Sequence, residues 1–243
     1  MRIAVLSDLH SNLVALDAVL ADLGSVDAVW VLGDIVGYGP EPDGVVERLV
    51  EIGAVAVAGN HDAAAVGAAD VGWFNPDARA AIEWTQRRMA PRTRDWLAAL
   101  PMTLAEPPAA LVHGSLREPL WEYITSGAEA RPNLRLLAGQ RLTLGLHGHT
   151  HVPVLWRLTG EELELLRVED GTRIALDERV VLANPGSVGQ PRDGDPRASY
   201  LLYDTDRAEL VWHRVGYDVG ATQSAMRRAG LPAWLVERLA VGH

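Results

Sequence analysis

The stretch RIAVLSDLH, residues 2–10, joins a short apolar run to an aspartate and a histidine. Residues 2–6 are rich in apolar and β-branched side chains and predict a strand. Asp8 and His10 follow this strand almost at once. If the strand belongs to a parallel sheet, both side chains lie beyond its carboxyl end, where α/β folds bind their ligands.

The residues that follow repeat the same alternation. Residues 12–23 have apolar side chains at helical spacing, and residues 28–32 are again strand-like. Residues 42–52 predict a second helix, and residues 54–58 a third strand. Strand–helix–strand–helix–strand predicts a parallel sheet with right-handed crossovers.

The rest of the chain has a helical pattern at first, a strand-like pattern in the middle and a helical pattern again at the end. Residues 75–100 are helical in pattern, and we interpret about residues 64–100 as a candidate cap insertion in a single domain that spans residues 1–243. The tail at 219–240 is also helical, with breaks at Gly230 and Pro232. Short strand-like runs lie between, at residues 141–146, 154–158, 163–168, 172–176 and 180–183, before a hairpin at 199–203 and 209–215.

The composition excludes several kinds of chemistry. The 243-residue chain has no cysteine, so disulfides, thiolate zinc sites and a cysteine nucleophile are ruled out. All 22 basic residues are arginine, which excludes a Walker-type phosphate loop and a lysine Schiff base. The net charge of −10 disfavours nucleic-acid duplexes as partners. Residues 1–12 lack the pattern of a secretory signal, and no apolar run reaches about 18 residues, so we expect a cytoplasmic protein without membrane partners.

Polar clusters follow the apolar strands, where a parallel sheet presents its ligands. They are Asp8-Leu9-His10, Gly33-Asp34, Gly59-Asn60-His61-Asp62, His113-Gly114 and His147-Gly148-His149-Thr150-His151. Residues two apart in an extended chain face the same way. We therefore expect Asp8 and His10 to point toward one common point, and His149 and His151 to do the same. Imidazole and carboxylate ligands together suit Mn, Fe, Zn, Ni or Co.

Each cluster has a simpler interpretation when it is taken alone. Asp-x-His is frequent by chance, Gly-Asp is a common turn, and Asn-His can cap a helix. A single histidine such as His113 is more often a hydrogen-bonded core residue than a metal ligand. The conjunction favours a metal site, because every cluster follows an apolar strand.

The order of these motifs resembles the calcineurin-like metallophosphoesterase superfamily. The motifs extend from residue 8 to residue 151, and the stretch NPGSVGQPRD, residues 184–193, resembles a bacterial small-phosphoesterase branch. The resemblance implies an α/β fold, a four-layer α/β/β/α sandwich of two mixed β-sheets flanked by helices. The strands after residue 141 would supply the second sheet.

The resemblance also implies a centre with two divalent metal ions, manganese being expected and Fe, Zn, Ni or Co being alternatives. Its implied ligands are Asp8, His10, Asp34 and His151 for one ion, and Asp34, Asn60, His113 and His149 for the other. Asp34 would bridge the ions. Asp34 and His61 are the catalytic candidates, with His61 as a phosphate contact and general acid. Asn60, His61 and Arg192 are the candidate substrate contacts.

The implied reaction is hydrolysis of a phosphate monoester or diester, from a small metabolite or nucleotide, by a hydroxide that two metal ions activate. A dinucleoside-polyphosphate hydrolase and a protein serine/threonine phosphatase are alternatives. A non-catalytic scaffold is the alternative from another class. Because every implied ligand position has a competent ligand, the scaffold is disfavoured. The substrate and the oligomeric state are left open.

The sequence departs from the protein-phosphatase branch at one position. In that branch the Gly-Asp motif continues to a second aspartate, which orients the catalytic histidine. Here Asp34 is followed by Ile35, Val36 and Gly37, so the partner of His61 is open. Asp62 is adjacent in sequence but is not the expected partner.

Three further residues have competing interpretations. Arg192 can bind a substrate phosphate with two N–H groups, or it can form a salt bridge with Asp193 or Asp195. We expect His147 to support the ligands or to lie in the core. His213, on a late strand, is expected to be structural.

Overall fold

The computed structural model describes all residues, 1–243, as twelve β-strands and eight α-helices. The strands are β1 (Arg2–Leu6), β2 (Ala28–Val31), β3 (Val55–Ala56), β4 (Thr103–Glu106), β5 (Ala109–Val112), β6 (Leu144–Leu146), β7 (Val154–Thr159), β8 (Glu162–Arg167), β9 (Arg173–Ala175), β10 (Val180–Asn184), β11 (Ala198–Asp204) and β12 (Glu209–Val215). The helices are α1 (Leu13–Asp22), α2 (Pro42–Glu51), α3 (Asn60–Ala65), α4 (Pro76–Arg88), α5 (Pro91–Ala98), α6 (Gly127–Gly139), α7 (Val219–Ala229) and α8 (Ala233–Glu237), with 3₁₀ turns at Val71–Trp73 and Arg238–Ala240. None of the helices combines the length and the apolarity that crossing a bilayer requires.

The strands form two mixed sheets of six. The first has the order β3-β2-β1-β11-β12-β9, and the second has the order β4-β5-β6-β10-β7-β8. Strands β1, β2 and β3 are parallel, as are β5, β6 and β10. The carboxyl ends of these parallel strands are the places from which polar loops emerge.

Strand β1 shows how the layers are built, because it is buried on both faces. Ile3 and Val5 belong to the apolar core between the two sheets. Ala4 and Leu6 point the other way, into the core that α1 and α2 form with the first sheet. Helix α6 covers the outer face of the second sheet with residues that include Leu134. The result is the four-layer α/β/β/α sandwich that the resemblance implied.

The division of strands between the sheets differs from the expectation. The second sheet begins at residue 103, and β9, β11 and β12 join the first sheet. Strand β11 lies antiparallel to β1, with Tyr203 opposite Ile3. We expected all strands after residue 141 to lie in the second sheet, and this was wrong. The apolar pattern of a strand shows which of its faces are buried, but not which strand it pairs with. The sequence pattern also indicated neither β4 nor the short helix α3.

Helices α4 and α5, with the 3₁₀ turn Val71–Trp73 before them, occupy the segment 64–100 that we interpreted as a cap, and α3 ends at its start. Helix α5 packs against α2, and α3 packs against α4 and α5. The hydroxyl of Thr93 donates to Asp43 of α2 at 2.6 Å, which fixes the segment to the helical layer. We retain the cap as a proposal.

Trp212 joins the two sheets through a hydrogen bond in the core. Its side chain, on β12, is 1% exposed, and the indole Nε1 donates to the carbonyl of Asn184 at the end of β10 at 2.9 Å. We predict that Trp212→Phe lowers the free energy of unfolding by about 1–3 kcal/mol, because the buried carbonyl loses its donor. Urea denaturation measures this as a lower midpoint at constant m value.

The matched control is Trp234→Phe, at a side chain that is 56% exposed. It should change the free energy of unfolding by less than about 0.5 kcal/mol. Equal losses in the two variants would show that the Nε1 bond of Trp212 is not the cause.

Candidate metal centre

Seven side chains converge where the carboxyl ends of parallel strands from both sheets meet. They come from the loops after β1, β2, β5 and β6 and from the start of α3, and they are Asp8, His10, Asp34, Asn60, His113, His149 and His151. None is more than 4% exposed. The structure therefore brings together every residue that the resemblance implied as a metal ligand.

The backbone of this region is left-handed at most of these residues. The φ angles are 54° at Asp8, 48° at His10, 51° at Asp34, 67° at His149 and 60° at His151. L-residues other than glycine rarely adopt such angles, which cluster at functional sites. The expectation of extended pairs was wrong, because sharp turns and not the pleat of a strand aim these side chains.

Hydrogen bonds between loops hold these turns. The amide of Asp8 donates to the carbonyl oxygen of Gly33 at 3.1 Å, and the amide of His10 donates to the carbonyl oxygen of Asp34 at 2.9 Å. Gly59 is required on the other side of Asp34, because a Cβ at residue 59 would collide with the Asp34 carboxylate. The ligand loops therefore determine one another's positions.

Two groups of ligand atoms share Asp34. In the first, Asp8, His10, Asp34 and His151 have ligand atoms within 4.8 Å of one another. The Nε2 atoms of His10 and His151 are 3.1 Å apart, and Nε2 of His151 is 3.3 Å from Asp8 Oδ1.

The second group joins Asp34 to His113 and His149 over a similar spacing. Nε2 of His113 lies 3.4 Å from Asp34 Oδ2 and 3.0 Å from Nδ1 of His149. Oδ1 of Asn60 lies 3.1 Å from the same His113 nitrogen. With Asn60 added to the second, two adjacent groups of four candidate ligands therefore share the carboxylate of Asp34.

Backbone carbonyls orient three of the imidazoles. Nδ1 of each of these rings lies within hydrogen-bond reach of a carbonyl oxygen, which selects the tautomer that leaves Nε2 free to bind an ion. The pairs are His10 with Val36 at 3.3 Å, His113 with Leu32 at 2.8 Å and His151 with Gln190 at 2.6 Å. His149 is reversed, since its Nδ1 faces the centre and its Nε2 is buried without a partner.

The charges of this centre fit divalent cations. Burial raises the pKa of Asp8 to about 7. Burial also acts to raise the pKa of Asp34, but His113 and His61 outweigh it and hold that pKa well below its usual range. Burial lowers the pKa of His113, yet the Asp34 carboxylate outweighs it and raises the value to about 9. An ion bound to Nε2 of His113 would displace that proton and supply the counter-charge itself.

Asn60 brings an amide to the second group. Its amide end is surrounded by the Asp34 carboxylate and by ring nitrogens of His113 and His149, at 3.1 to 3.3 Å. With its oxygen turned to this position the amide offers a ligand to a cation, and with its NH₂ turned there it donates hydrogen bonds to the same atoms. The donor set of oxygen and imidazole nitrogen therefore fits a divalent transition metal.

His61 lies beside both groups without belonging to either. It is in the first turn of α3, and its amide donates to Asp34 Oδ1 at 2.9 Å. Its ring centroid is 4.8 Å from that of His10 and 4.4 Å from that of Tyr38. Burial lowers the pKa of His61 to about 4, so the resting imidazole is neutral.

No carboxylate orients the ring of His61. Nδ1 is buried without a partner, and a Cβ at residue 37 would lie 2.5 Å from it. The ring of His61 therefore lies where a side chain at residue 37 would begin. The carboxylate of Asp62 instead accepts hydrogen bonds from the amides of Ile35, Val36 and Gly59, each at 2.9 Å.

Arg192 points toward the centre and not toward its acidic neighbours in sequence. Its Nη2 donates to Oε1 of Gln190 at 3.0 Å and lies 3.4 Å from the hydroxyl of Tyr38. Asp193 and Asp195 pair with other arginines, so the salt-bridge interpretation of Arg192 was wrong. No carboxylate pairs with the Arg192 guanidinium, whose Nε is buried without a partner.

Two histidines lie where the sequence placed them outside the ligand set. His147 is fully buried beside the amide of Asn184 and belongs to neither ligand group. His213 is half-buried, and its ring stacks on Tyr200 with centroids 4.9 Å apart. Both placements agree with supporting or structural roles.

Sequence reasoning missed the aromatic rim of the centre. The ring of Tyr123, 46% exposed, stacks on His149 with centroids 3.7 Å apart. Phe74 contacts His61, and Trp121 contacts Phe74. A groove of about 590 Å³, lined by Tyr123 and Arg192 among others, opens next to the rim. No motif marks these residues, because tertiary packing alone brings them to the metal ligands.

The geometry and a sequence comparison define one class of protein. The calcineurin-like phosphoesterase superfamily domain matches residues 1–208. The chain belongs to this superfamily and is a metallophosphoesterase, a hydrolase of phosphoric esters, with buried Asp/His clusters that could hold metal ions.

Individual relatives match the chain from end to end. A metallophosphoesterase from Sphaerobacter thermophilus is 42% identical, with a TM-score of 0.89 and complete coverage of both chains. An uncharacterized protein from Methanocaldococcus jannaschii is 36% identical over 248 residues, which covers 99% of this chain and 98% of the archaeal one. A hypothetical protein from Pyrococcus horikoshii shares the fold, with a TM-score of 0.82 at 19% identity and coverage of 100% and 98%.

Asp62 provides a test of how the ligand loops are held. We predict that Asp62→Asn lowers the free energy of unfolding by about 1–3 kcal/mol, because an amide NH₂ then faces a backbone donor that the carboxylate accepted. Chemical denaturation of wild type and variant gives the difference.

Asp70→Asn is the matched control. Asp70 caps the 3₁₀ turn Val71–Trp73 from the surface through one hydrogen bond to Gly72. Aspartate and asparagine cap helices about equally well, so the control should unfold like the wild type. If Asp62→Asn unfolds no earlier than the control, the three amide bonds do not stabilise the loops.

Proposed function

We propose that this metallophosphoesterase hydrolyses a phosphate monoester or diester of a small metabolite or nucleotide with two divalent metal ions. One observation carries the proposal, namely that two groups of buried carboxylate and imidazole ligands share Asp34. The expected manganese, the cytoplasmic location and the substrate stay predictions.

Each ligand would have a definite task. Asp8, His10 and His151 would hold one ion, and Asn60, His113 and His149 the other, with Asp34 between them. Bound there, two divalent ions lower the pKa of a water and neutralise charge on the phosphoryl oxygens. Because Asp34 belongs to both groups, its carboxylate would serve both ions.

His61 would act on the substrate. Its backbone is tied to Asp34, whereas its ring nitrogens make no bond to a ligand residue. A substrate phosphate beside this ring adds negative charge, which favours protonation of the imidazole. His61 can then position the phosphate and give a proton to the departing oxygen.

Arg192 would bind the phosphate from the side of Tyr38. Its guanidinium is not neutralised by a carboxylate, so its hydrogen-bonding capacity is available to an anion. In a chain with a net charge of −10, such an unpaired cation beside the centre favours an anionic substrate.

The alternatives receive less support. A protein phosphatase of the kind considered above orients its catalytic histidine with a second aspartate, whereas here Gly37 follows Val36 in the motif and Nδ1 of His61 is buried without a partner. A scaffold would have no need of the left-handed ligand loops, which cost stability. A dinucleoside-polyphosphate hydrolase stays an alternative substrate class for the same centre.

Asp34 tests the metal assignment. We predict that the wild type binds two divalent ions per chain and loses turnover on exhaustive chelation. Asp34→Ala should lose both ions, whereas Asp8→Ala should weaken mainly one, because only Asp34 belongs to both groups. Elemental analysis after dialysis against a defined metal buffer gives the stoichiometry.

Asp22→Ala is the matched control. This aspartate ends α1, accepts a hydrogen bond from the hydroxyl of Tyr200 and belongs to neither ligand group. It should keep both ions. Normal metal content and normal turnover in Asp34→Ala would show that the shared ligand is wrongly assigned, and full activity of the chelated protein would refute the proposed function.

His61 tests the proton transfer. We predict that His61→Ala keeps both ions and loses roughly 10²–10⁴-fold in turnover of phenyl phosphate, whose departing oxygen needs a proton. The loss should be smaller for 4-nitrophenyl phosphate, which has the same ring and a less basic oxygen. Equal losses for the two esters would exclude proton donation and leave His61 with a positioning role.

A further inference from the structure

Three aromatic side chains form a continuous run of ring contacts that ends on His61. The ring centroids are 4.8 Å apart between His61 and Phe74, 5.2 Å between Phe74 and Trp121, and 5.9 Å between Trp121 and Trp73. We call Phe74, Trp121 and Trp73 the aromatic track. Phe74 is the only phenylalanine in the chain.

The track is assembled from two segments that leave the candidate metal centre. Trp73 and Phe74 end the 3₁₀ turn that follows α3, the helix that begins with Asn60 and His61. Trp121 lies in the segment that follows His113 at the end of β5. The chain segments that follow two different candidate ligands, Asn60 and His113, thus meet beside His61.

The packing of the chain on itself explains only part of the track. Phe74 packs against a core cluster that includes Tyr38 and Ala78, whereas Trp73 and Trp121 belong to no core cluster. Trp73 is 77% exposed, and Trp121 and Phe74 are only partly buried. A side chain that stays in water contributes little hydrophobic stabilisation to the fold. Exposed aromatic rings do offer a surface on which a planar ring can stack, and nucleobases use such surfaces with little regard to base identity.

We infer that the aromatic track binds a planar ring carried by the leaving group of the substrate, so that the substrates are nucleoside or aryl phosphoesters. The inference rests on the proposed function, in which His61 faces the departing oxygen. A ring attached on that side of the phosphorus lies next to Phe74 and extends toward Trp121. Because stacking is the contact, we expect little discrimination among bases.

A matched pair of probes isolates the ring. Adenosine 5′-monophosphate and ribose 5-phosphate have the same phosphate and the same departing oxygen, but only the nucleotide has a ring system to stack. We expect the metal-loaded wild type to favour the nucleotide by about 10-fold or more, both in kcat/KM and in affinity by titration calorimetry. This preference should fall at least about 5-fold in Trp121→Ala and in Trp73→Ala.

Two further variants serve as controls. Trp121→Phe keeps a ring in the track and should keep most of the preference. Trp234→Ala removes another exposed tryptophan, from α8 and outside the track, and should leave the preference unchanged. The two alanine variants of the track come from different segments, so misfolding of one does not prevent the test.

The outcomes separate this inference from the proposed function. Equal values for the two probes, or a preference that survives both alanine substitutions, would overturn the inference, while hydrolysis of ribose 5-phosphate would still support the proposed function. If no phosphoester is hydrolysed, the proposed function fails and calorimetry still decides whether the track binds the ring. A changed oligomeric state of Trp73→Ala in the ultracentrifuge, with unchanged selectivity, would assign the track to a protein interface and overturn the inference.

Discussion

Two carboxylates, those of Asp8 and Asp34, lie fully buried where two β-sheets meet, and no arginine forms a salt bridge with either. A buried carboxylate is costly unless a counter-charge accompanies it. Here the counter-charge has to come from the surrounding imidazoles or from cations that they bind. The fold therefore couples its own stability to the occupancy of the centre, because ions that bind only the folded chain stabilise it.

The same constraint explains why the ligands leave the regular sheet. A pleated strand sends alternate side chains to opposite faces, so it cannot gather carboxylates and imidazoles from several strands around one point. Left-handed residues such as Asp8 and Asp34 turn the chain back at the end of each strand, at about 1–3 kcal/mol each. The loop-to-loop hydrogen bonds and the three amide bonds to Asp62 offset this strain.

The sequence predicts more of the centre than of the fold around it. Histidine and aspartate after an apolar strand form a local pattern in the sequence. The pattern predicts a site because the carboxyl ends of parallel strands lie at a common edge of the sheet. The pairing of β11 with β1 leaves no such mark, since an apolar strand suits either sheet equally well. The contact of Phe74 with His61 is also invisible in sequence, because it depends on how the helical segment packs against the segment after β5.

His61 illustrates how packing can replace a hydrogen bond. In place of an orienting carboxylate, the ring is enclosed by Tyr38, His10 and Phe74, and a side chain at residue 37 would collide with Nδ1. Rings on several sides fix the plane of the imidazole without fixing its tautomer, since none of them accepts or donates a strong hydrogen bond. Both protonation states then remain accessible, and the charge of the bound phosphate decides between them. An imidazole held in this way can receive a proton when an anionic ester arrives and release it to the departing oxygen.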